Sequence, residues 1–97
     1  MMNMQNMMKQ AQKLQKQMQA SQEEIKSSLF IGKSAQELVS VEFSGDHVMK
    51  SITIKPEIID SEDAETLEEM VTSAVNDALG QIAEKTEKQM GKFNLPF

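Results

Sequence analysis

Between Met4 and Ile25, apolar or small residues recur at Met4, Met7, Ala11, Leu14, Met18, Ser21 and Ile25. The steps alternate between three and four, the a/d spacing of a heptad repeat. With Met4 at a, the e and g positions are Met8, Gln10, Gln15, Gln17, Gln22 and Glu24, nearly all uncharged. Lys9, Lys13 and Lys16 fall at f, c and f, along the opposite face. The stretch holds no Gly or Pro and predicts a helix over about 3–26, roughly 35 Å long. A compact chain of this size has a radius of gyration of only about 12–13 Å, so such a helix spans the body or overhangs it. An overhanging seam of Met4, Met7 and Ala11 has no cover within its own chain unless a second long helix lies alongside. The alternative is that residues 1–8 fray.

The period then changes. Ser27–Ser28 ends the helix, and Leu29-Phe30-Ile31 is a short β-type run closed by Gly32, giving a strand over about 29–33. Val39, Val41 and Phe43 alternate through a strand over about 37–44, and Val48, Lys50, Ile52 and Ile54 through one over about 47–55. Gly45-Asp46 suits a two-residue primed turn, which pairs Phe43 with Val48, Val41 with Lys50 and Val39 with Ile52. Lys50 is then the misfit on the inner face, its stem expected to snorkel to the sheet edge. The other face reads Leu38, Ser40, Glu42, Met49, Ser51 and Thr53, half-polar and open to solvent or a partner. Pro56 stops the third strand, and Asp60 is the expected N-cap of a helix over about 61–90. Its stripe is Leu67, Val71, Ala74, Val75, Ala78, Ile82 and Thr86, and residues 91–97 form a short tail. The fold class is therefore α+β: one domain over 1–97, in the order αβββα, with a three-stranded antiparallel sheet and two long helices that outreach it.

Composition narrows the function. There is no Cys among the 97 residues, hence no disulfide framework, thiolate metal site or cysteine nucleophile. No apolar run approaches the ~18 residues of a membrane span, and the first residues lack the apolar core of a signal peptide, so a soluble cytoplasmic protein is expected. The net charge is −5, unevenly spread. Residues 1–26 carry four Lys against two Glu, 27–56 balance at three against three, and 57–97 carry three Lys against ten acids. Every cation is Lys. A lysine is a point charge without the planar fork that reads guanine, so contact with DNA would favour phosphates over bases.

Several residue groups invite a chemical reading. The acids Glu62, Asp63, Glu65, Glu68 and Glu69 lack the spacing of a cation loop and suit the dipole at a helix start. His47 sits in the hairpin turn with no second His or Cys near it in sequence. Asn76-Asp77 reads either as a polar contact across a subunit boundary or as an exposed pair. The Met content suits seam packing first and a plastic binding surface second. Lys9, Lys13 and Lys16 are either a solvated face or a phosphate-binding line. The line is free of acids up to Glu23, and Lys85, Lys88 and Lys92 mark a second stretch comparatively poor in acids. No nucleophile–base pair, phosphate loop or metal set is present, so no catalytic residue, metal or cofactor is assigned and the protein is not read as an enzyme.

The opening Met4-Gln5-Asn6-Met7-Met8-Lys9-Gln10-Ala11-Gln12-Lys13 resembles the start of the YbaB/EbfC nucleoid-associated proteins. So do the hairpin with its small turn, Pro56-Glu57-Ile58-Ile59-Asp60, Ala74-Val75-Asn76-Asp77-Ala78, and the tail Met90-Gly91-Lys92 followed by Leu95-Pro96. The resemblance covers essentially the whole chain. It implies a homodimer whose paired long helices project like tweezers from a central sheet, and which binds DNA in the bacterial nucleoid. One departure stands out: where the family usually has a glycine-rich segment before the second strand, this chain has Ser34-Ala35-Gln36-Glu37-Leu38. A difference is expected where the first strand approaches the second.

Together these observations predict a dimeric, low-specificity binder of double-stranded DNA, with an influence on DNA conformation and gene expression. Its partners are DNA and a second copy, with no membrane and no small-molecule substrate. Lys9, Lys13, Lys16, Lys88 and Lys92 are the candidate phosphate contacts. Met4, Met7, Ala11, Leu14, Met18, Leu38 and Met49 are the candidates for a dimer contact or helix seam. A competing reading is a coiled-coil adaptor whose Met/Gln seam holds a protein helix, with no nucleic acid involved.

Overall fold

A computed structural model describes residues 3–91. The elements run α1 (Met4–Ser27), β1 (Leu29–Lys33), β2 (Val39–Ser44), β3 (Met49–Ile54) and α2 (Ala64–Gly91), with short 3-10 turns at Ala35–Glu37 and Pro56–Ile58. The sheet is antiparallel in the order β1-β2-β3. The molecule extends 72 × 21 × 16 Å with a radius of gyration of 19.7 Å, well beyond the ~13 Å of a compact chain of this length.

Each boundary has a local cause. Asn3 caps α1, its side chain accepting from the Asn6 N–H at 2.8 Å. At the other end, the Ser27 and Ser28 hydroxyls donate to carbonyls of Glu23 and Glu24, and Ser28 turns the chain into extended backbone. The helix start at Asp60 is displaced by three residues. Asp60 accepts from the Glu62 N–H at 2.9 Å and closes an isolated turn, so α2 begins at Ala64. Asp63 takes the capping role, accepting from the Thr66 N–H at 3.3 Å and from its hydroxyl at 2.7 Å.

The core lies between β2 and α2: Val39, Val41 and Phe43 against Ala74, Ala78 and Ile82, ringed by Phe30, Ile54, Ile58, Met70, Val71, Val75 and Leu79. β1 runs through Gly32 to Lys33. There the sheet approaches α2 so nearly that a Cβ on Gly32 would lie 2.2 Å from the Ala74 carbonyl oxygen and 2.7 Å from the Ala78 Cβ. Glycine against two alanines brings strand and helix backbones together.

The hairpin register differs from the sequence expectation by one residue at Phe43 and by two at Val41 and Val39. Val39 pairs with Ile54, Val41 with Ile52 and Phe43 with Met49. The turn is longer than two residues: the His47 N–H donates to the Ser44 carbonyl at 3.0 Å, His47 has φ 68°, and the Ser44 N–H donates to Val48. This is a three-residue loop closed by a left-handed residue. A bulge then falls opposite the Glu42–Phe43 step, where Lys50 is the extra residue between Met49 and Ser51. Lys50 therefore does not oppose Val41, and Met49 stands opposite Phe43 instead of on the outer face.

Candidate nucleic-acid interface

The glutamine-, lysine- and methionine-rich sequence of α1 forms a continuous helix, and its position follows from where it touches the body. Ile25 is buried, Leu14, Met18 and Ser21 are half-buried, and the seam above them is open. Met4, Met7 and Met8 are 78%, 56% and 59% exposed, and with Ala11 they line a shallow apolar groove. The first helix thus overhangs, with no cover from the described residues on the upper half of its seam. Residues 4–8 are helical.

Lys9, Lys13 and Lys16 are all exposed. With Gln12, Gln17 and Ala20 they line a second shallow groove along α1. Among the described residues none of the three is in an ion pair, whereas Lys88 lies 3.2 Å from the Glu84 carboxylate and Lys33 3.1 Å from that of Glu37. Lys88 shares a groove with Lys85, Gln81, Glu84 and Phe30, beside the sheet rather than on the free arm. Lys92 lies outside the described residues.

Helix geometry separates the basic line from the acids. At 1.5 Å per residue, the 24 residues of α1 and 28 of α2 measure about 36 and 42 Å. Laid side by side they could not give a 72 Å molecule, so they overlap only briefly and point apart. The overlap is at their C-terminal ends, where Gln22, Ile25 and Thr86 line one cavity. Counting from there, Lys16 lies about 13 Å up one helix and Glu69 about 25 Å back along the other, a separation near 40 Å. Glu62, Asp63, Glu65, Glu68 and Glu69 are all exposed at that far end. Among the described residues no group of three His, Cys, Asp or Glu side chains is placed to hold a metal ion.

The two sheet edges are unequal. On β1, the Asp77 carboxylate accepts from the Lys33 N–H at 2.9 Å and the Gln81 amide donates to the Ile31 carbonyl at 2.8 Å, so α2 caps that edge. Asp77 is thus an intrachain edge cap, a role that neither reading of Asn76-Asp77 supplied. α2 packs on β1 and β2. On β3, Met49 and Ile52 stay 41% and 43% exposed. Leu38, before β2, is half-buried.

At the hairpin, the Ser44 hydroxyl donates to Asp46 and holds its carboxyl below the ordinary value of 3.8, with Lys50 a smaller contributor. His47 is exposed, as a turn residue should be.

A three-stranded sheet with one capped edge and a free lysine-bearing helix defines a class: small α+β proteins built as a body with an arm. The YbaB/EbfC DNA-binding family model matches residues 1–96, and the chain belongs to that family. Its relatives include nucleoid-associated proteins of Lactococcus lactis subsp. lactis, 69% identical, and Streptococcus uberis, 58% identical, each alignment covering both chains completely. The crystal structure of an uncharacterised protein from Helicobacter pylori superimposes with a TM-score of 0.78 at 21% identity, over 98% of this chain and all of that one, and shares the fold. The DNA-binding family agrees with a reading that assigned no catalytic group. No described helix is long and apolar enough to cross a membrane.

Proposed function

We propose that this protein acts as a homodimer in the bacterial nucleoid, binding double-stranded DNA with little sequence preference through phosphate contacts from α1, and thereby influencing DNA conformation and gene expression. The observation that carries this reading is the placement of Lys9, Lys13 and Lys16 on an overhanging helix about 40 Å from the acidic start of α2. A Debye length at physiological salt is about 8 Å, so those carboxylates do not screen the arm from a polyanion. Lys88 joins the contact surface at the base of the arm, weakened by its Glu84 partner, and Lys92, outside the described residues, remains a candidate contact from the sequence. In this reading the second copy packs against the uncapped side of the sheet, where the outer edge of β3 is unpaired among the described residues and carries the apolar Met49 and Ile52. Leu38 flanks the sheet at the start of β2. Met4, Met7, Ala11, Leu14 and Met18 form the seam of the arm.

Each phosphate neutralised on duplex DNA contributes about −0.9 to the slope of log K against log salt. Replacing Lys9, Lys13 and Lys16 together by Gln is expected to flatten that slope by about three for one engaged arm, and to weaken binding equally on unrelated sequences. Gel-shift titrations of random-sequence duplex at two salt concentrations, beside a mass measurement of the free protein, test both halves. An unchanged slope removes these lysines from the interface, and a monomeric mass removes the dimer. The exposed groove of Met4, Met7, Met8 and Ala11 favours a second reading, an adaptor for a partner helix. On that reading, Met7→Asp with Leu14→Asp abolishes binding to the partner while the lysine variants leave it unchanged.

A further inference from the structure

The arm joins the body through the end of α2 and through the end of β2. Below Met18, the seam reaches the body at Ile25, and the last turn of α1 sits on the β2–β3 turn. Gly45 is buried there, its N–H donating to the Ser28 carbonyl at 3.1 Å. Gly45 does not have a positive φ, so its backbone conformation does not demand glycine. Space does: a Cβ at Gly45 would lie 1.8 Å from the Ile25 carbonyl oxygen, 2.5 Å from its carbonyl carbon and 3.0 Å from its Cγ2. The two nearest obstacles are backbone atoms of the last helical turn, which no side-chain rotation relieves. By contrast, a Cβ at Gly80 on α2 would meet nothing within 4 Å.

We propose that Gly45 is a positioning residue: its bare Cα seats the last turn of α1 against the hairpin and thereby sets the direction of the lysine-bearing arm. The functional half of this inference rests on the DNA-binding reading of α1. The geometry gives the leverage. An added methyl must open the contact from 1.8 Å to at least the 3.4 Å of ordinary packing, a gap of about 1.6 Å. Ser28, where the helix ends, lies only three residues or about 4.5 Å beyond Ile25, so opening the gap by pivoting there turns α1 by roughly 20°. Lys9 to Lys16 lie about 18–28 Å from that pivot and swing by roughly 6–10 Å. A lysine ammonium meets a phosphate at hydrogen-bond distance, about 3 Å, so a displacement of this size takes the line off the track it was set to follow.

The chain has no native cysteine, so engineered pairs label cleanly. Gln12→Cys with Glu69→Cys reports the arm against the body, and Lys55→Cys with Glu69→Cys reports the body alone. Each labelled protein is diluted with excess unlabelled protein so that distances within one chain dominate a pulsed electron-spin measurement. Gly45→Ala is expected to move the arm distance by about 5 Å or more, leave the body distance unchanged, and raise the Kd for random-sequence duplex at 50 mM salt at least fivefold. Gly80→Ala is expected to change neither distance nor Kd. Ile25→Ala keeps the glycine but removes the buried side chain beside it, and is expected to broaden the arm distribution without moving the body distance. An unmoved arm distance in Gly45→Ala overturns the proposal, as does a moved arm with unchanged DNA affinity. Should Gly45→Ala fail to fold, an unbroadened distribution in Ile25→Ala overturns it. The distances are read without DNA, and the lysine variants judge the DNA reading separately, so the two fail independently.

Discussion

The link between β1 and β2 is built against its own residue types, and correcting it is expected to stabilise the protein. The Leu38 N–H donates to the Ala35 carbonyl at 3.3 Å, and the two residues between, Gln36 and Glu37, have φ of 57° and 56°. Two consecutive left-handed residues inside such a hydrogen bond make a type I′ turn, which prefers Asn-Gly. A non-glycine residue in that region costs roughly 1–2 kcal/mol, and asparagine recovers part of it through local hydrogen bonding. Glycine returns about 0.5–1 kcal/mol of the gain through its greater freedom in the unfolded chain. The Gln36 side chain is exposed, so its loss removes little packing. Glu37 gives up an ion pair with Lys33 whose side chains are 65% and 49% exposed, worth at most about 0.5 kcal/mol at that exposure. Gln36→Asn with Glu37→Gly is therefore expected to stabilise by about 1 kcal/mol, or roughly 4–8 °C in Tm for a chain of this length. Thermal and urea unfolding followed by circular dichroism measure it, at one fixed protein concentration because the proposed dimer would make Tm concentration-dependent. Unchanged or lowered stability would refute the reasoning, showing that the left-handed pair carries no recoverable strain.

Two further changes test the core and the hairpin. Gly32→Ala places a methyl 2.2 Å from the Ala74 carbonyl oxygen, and since backbone must move on both sides it is expected to cost about 2–3 kcal/mol in the same unfolding experiments. Asp46 has a carboxyl pKa lowered by the Ser44 hydroxyl, so its contribution is present above the unfolded value of 3.8 and is lost as pH falls through the lower folded value. Asp46→Asn is expected to be less stable than the parent at pH 6 and to approach it as the pH is taken below 3.8, read from urea midpoints along that pH series.

Much of this architecture is legible in the sequence because β2 and α2 each bury one side. The alternation of Val39, Val41 and Phe43 and the Val71–Ala74–Ala78–Ile82 stripe of α2 each follow from a face meeting a core, whereas the heptad of α1 meets the body only in its lower half. What escaped was decided by single backbone conformations. His47 and the Gln36–Glu37 pair adopt left-handed φ without being Gly, Asn or Asp, so nothing in their residue types announces the three-residue loop or the primed turn. The bulge at Lys50 then shifts the strand by one more step, and the apparent misfit was itself the signal. Asp60 and Asp63 are both good caps three residues apart, and local hydrogen bonding by the first gave the helix to the second. The lysine line was visible as spacing, but its distance from the acids was not, because that depends on which way the chain turns after Ser28. Asp77 and Gln81 share a side of α2 at i, i+4, and their work as edge caps has meaning only once α2 is known to lie along β1.

That turn also reconciles an acidic chain with a polyanionic partner. A net charge of −5 spread over a sphere would repel DNA from every direction, and three lysines would not reverse it. Here the charge is stretched along a 72 Å axis, many times the ~8 Å over which exposed charges act at physiological salt. Each end then presents its own sign to whatever approaches it. On the proposed reading, the acidic start of α2 disfavours a sideways or reversed encounter, while the arm offers the phosphates lysines free of intrachain ion pairs among the described residues. On that reading the negative charge selects an orientation instead of cancelling the attraction, and, with Gly45 in its proposed positioning role, the selection holds only while the joint there keeps arm and acidic end pointing apart.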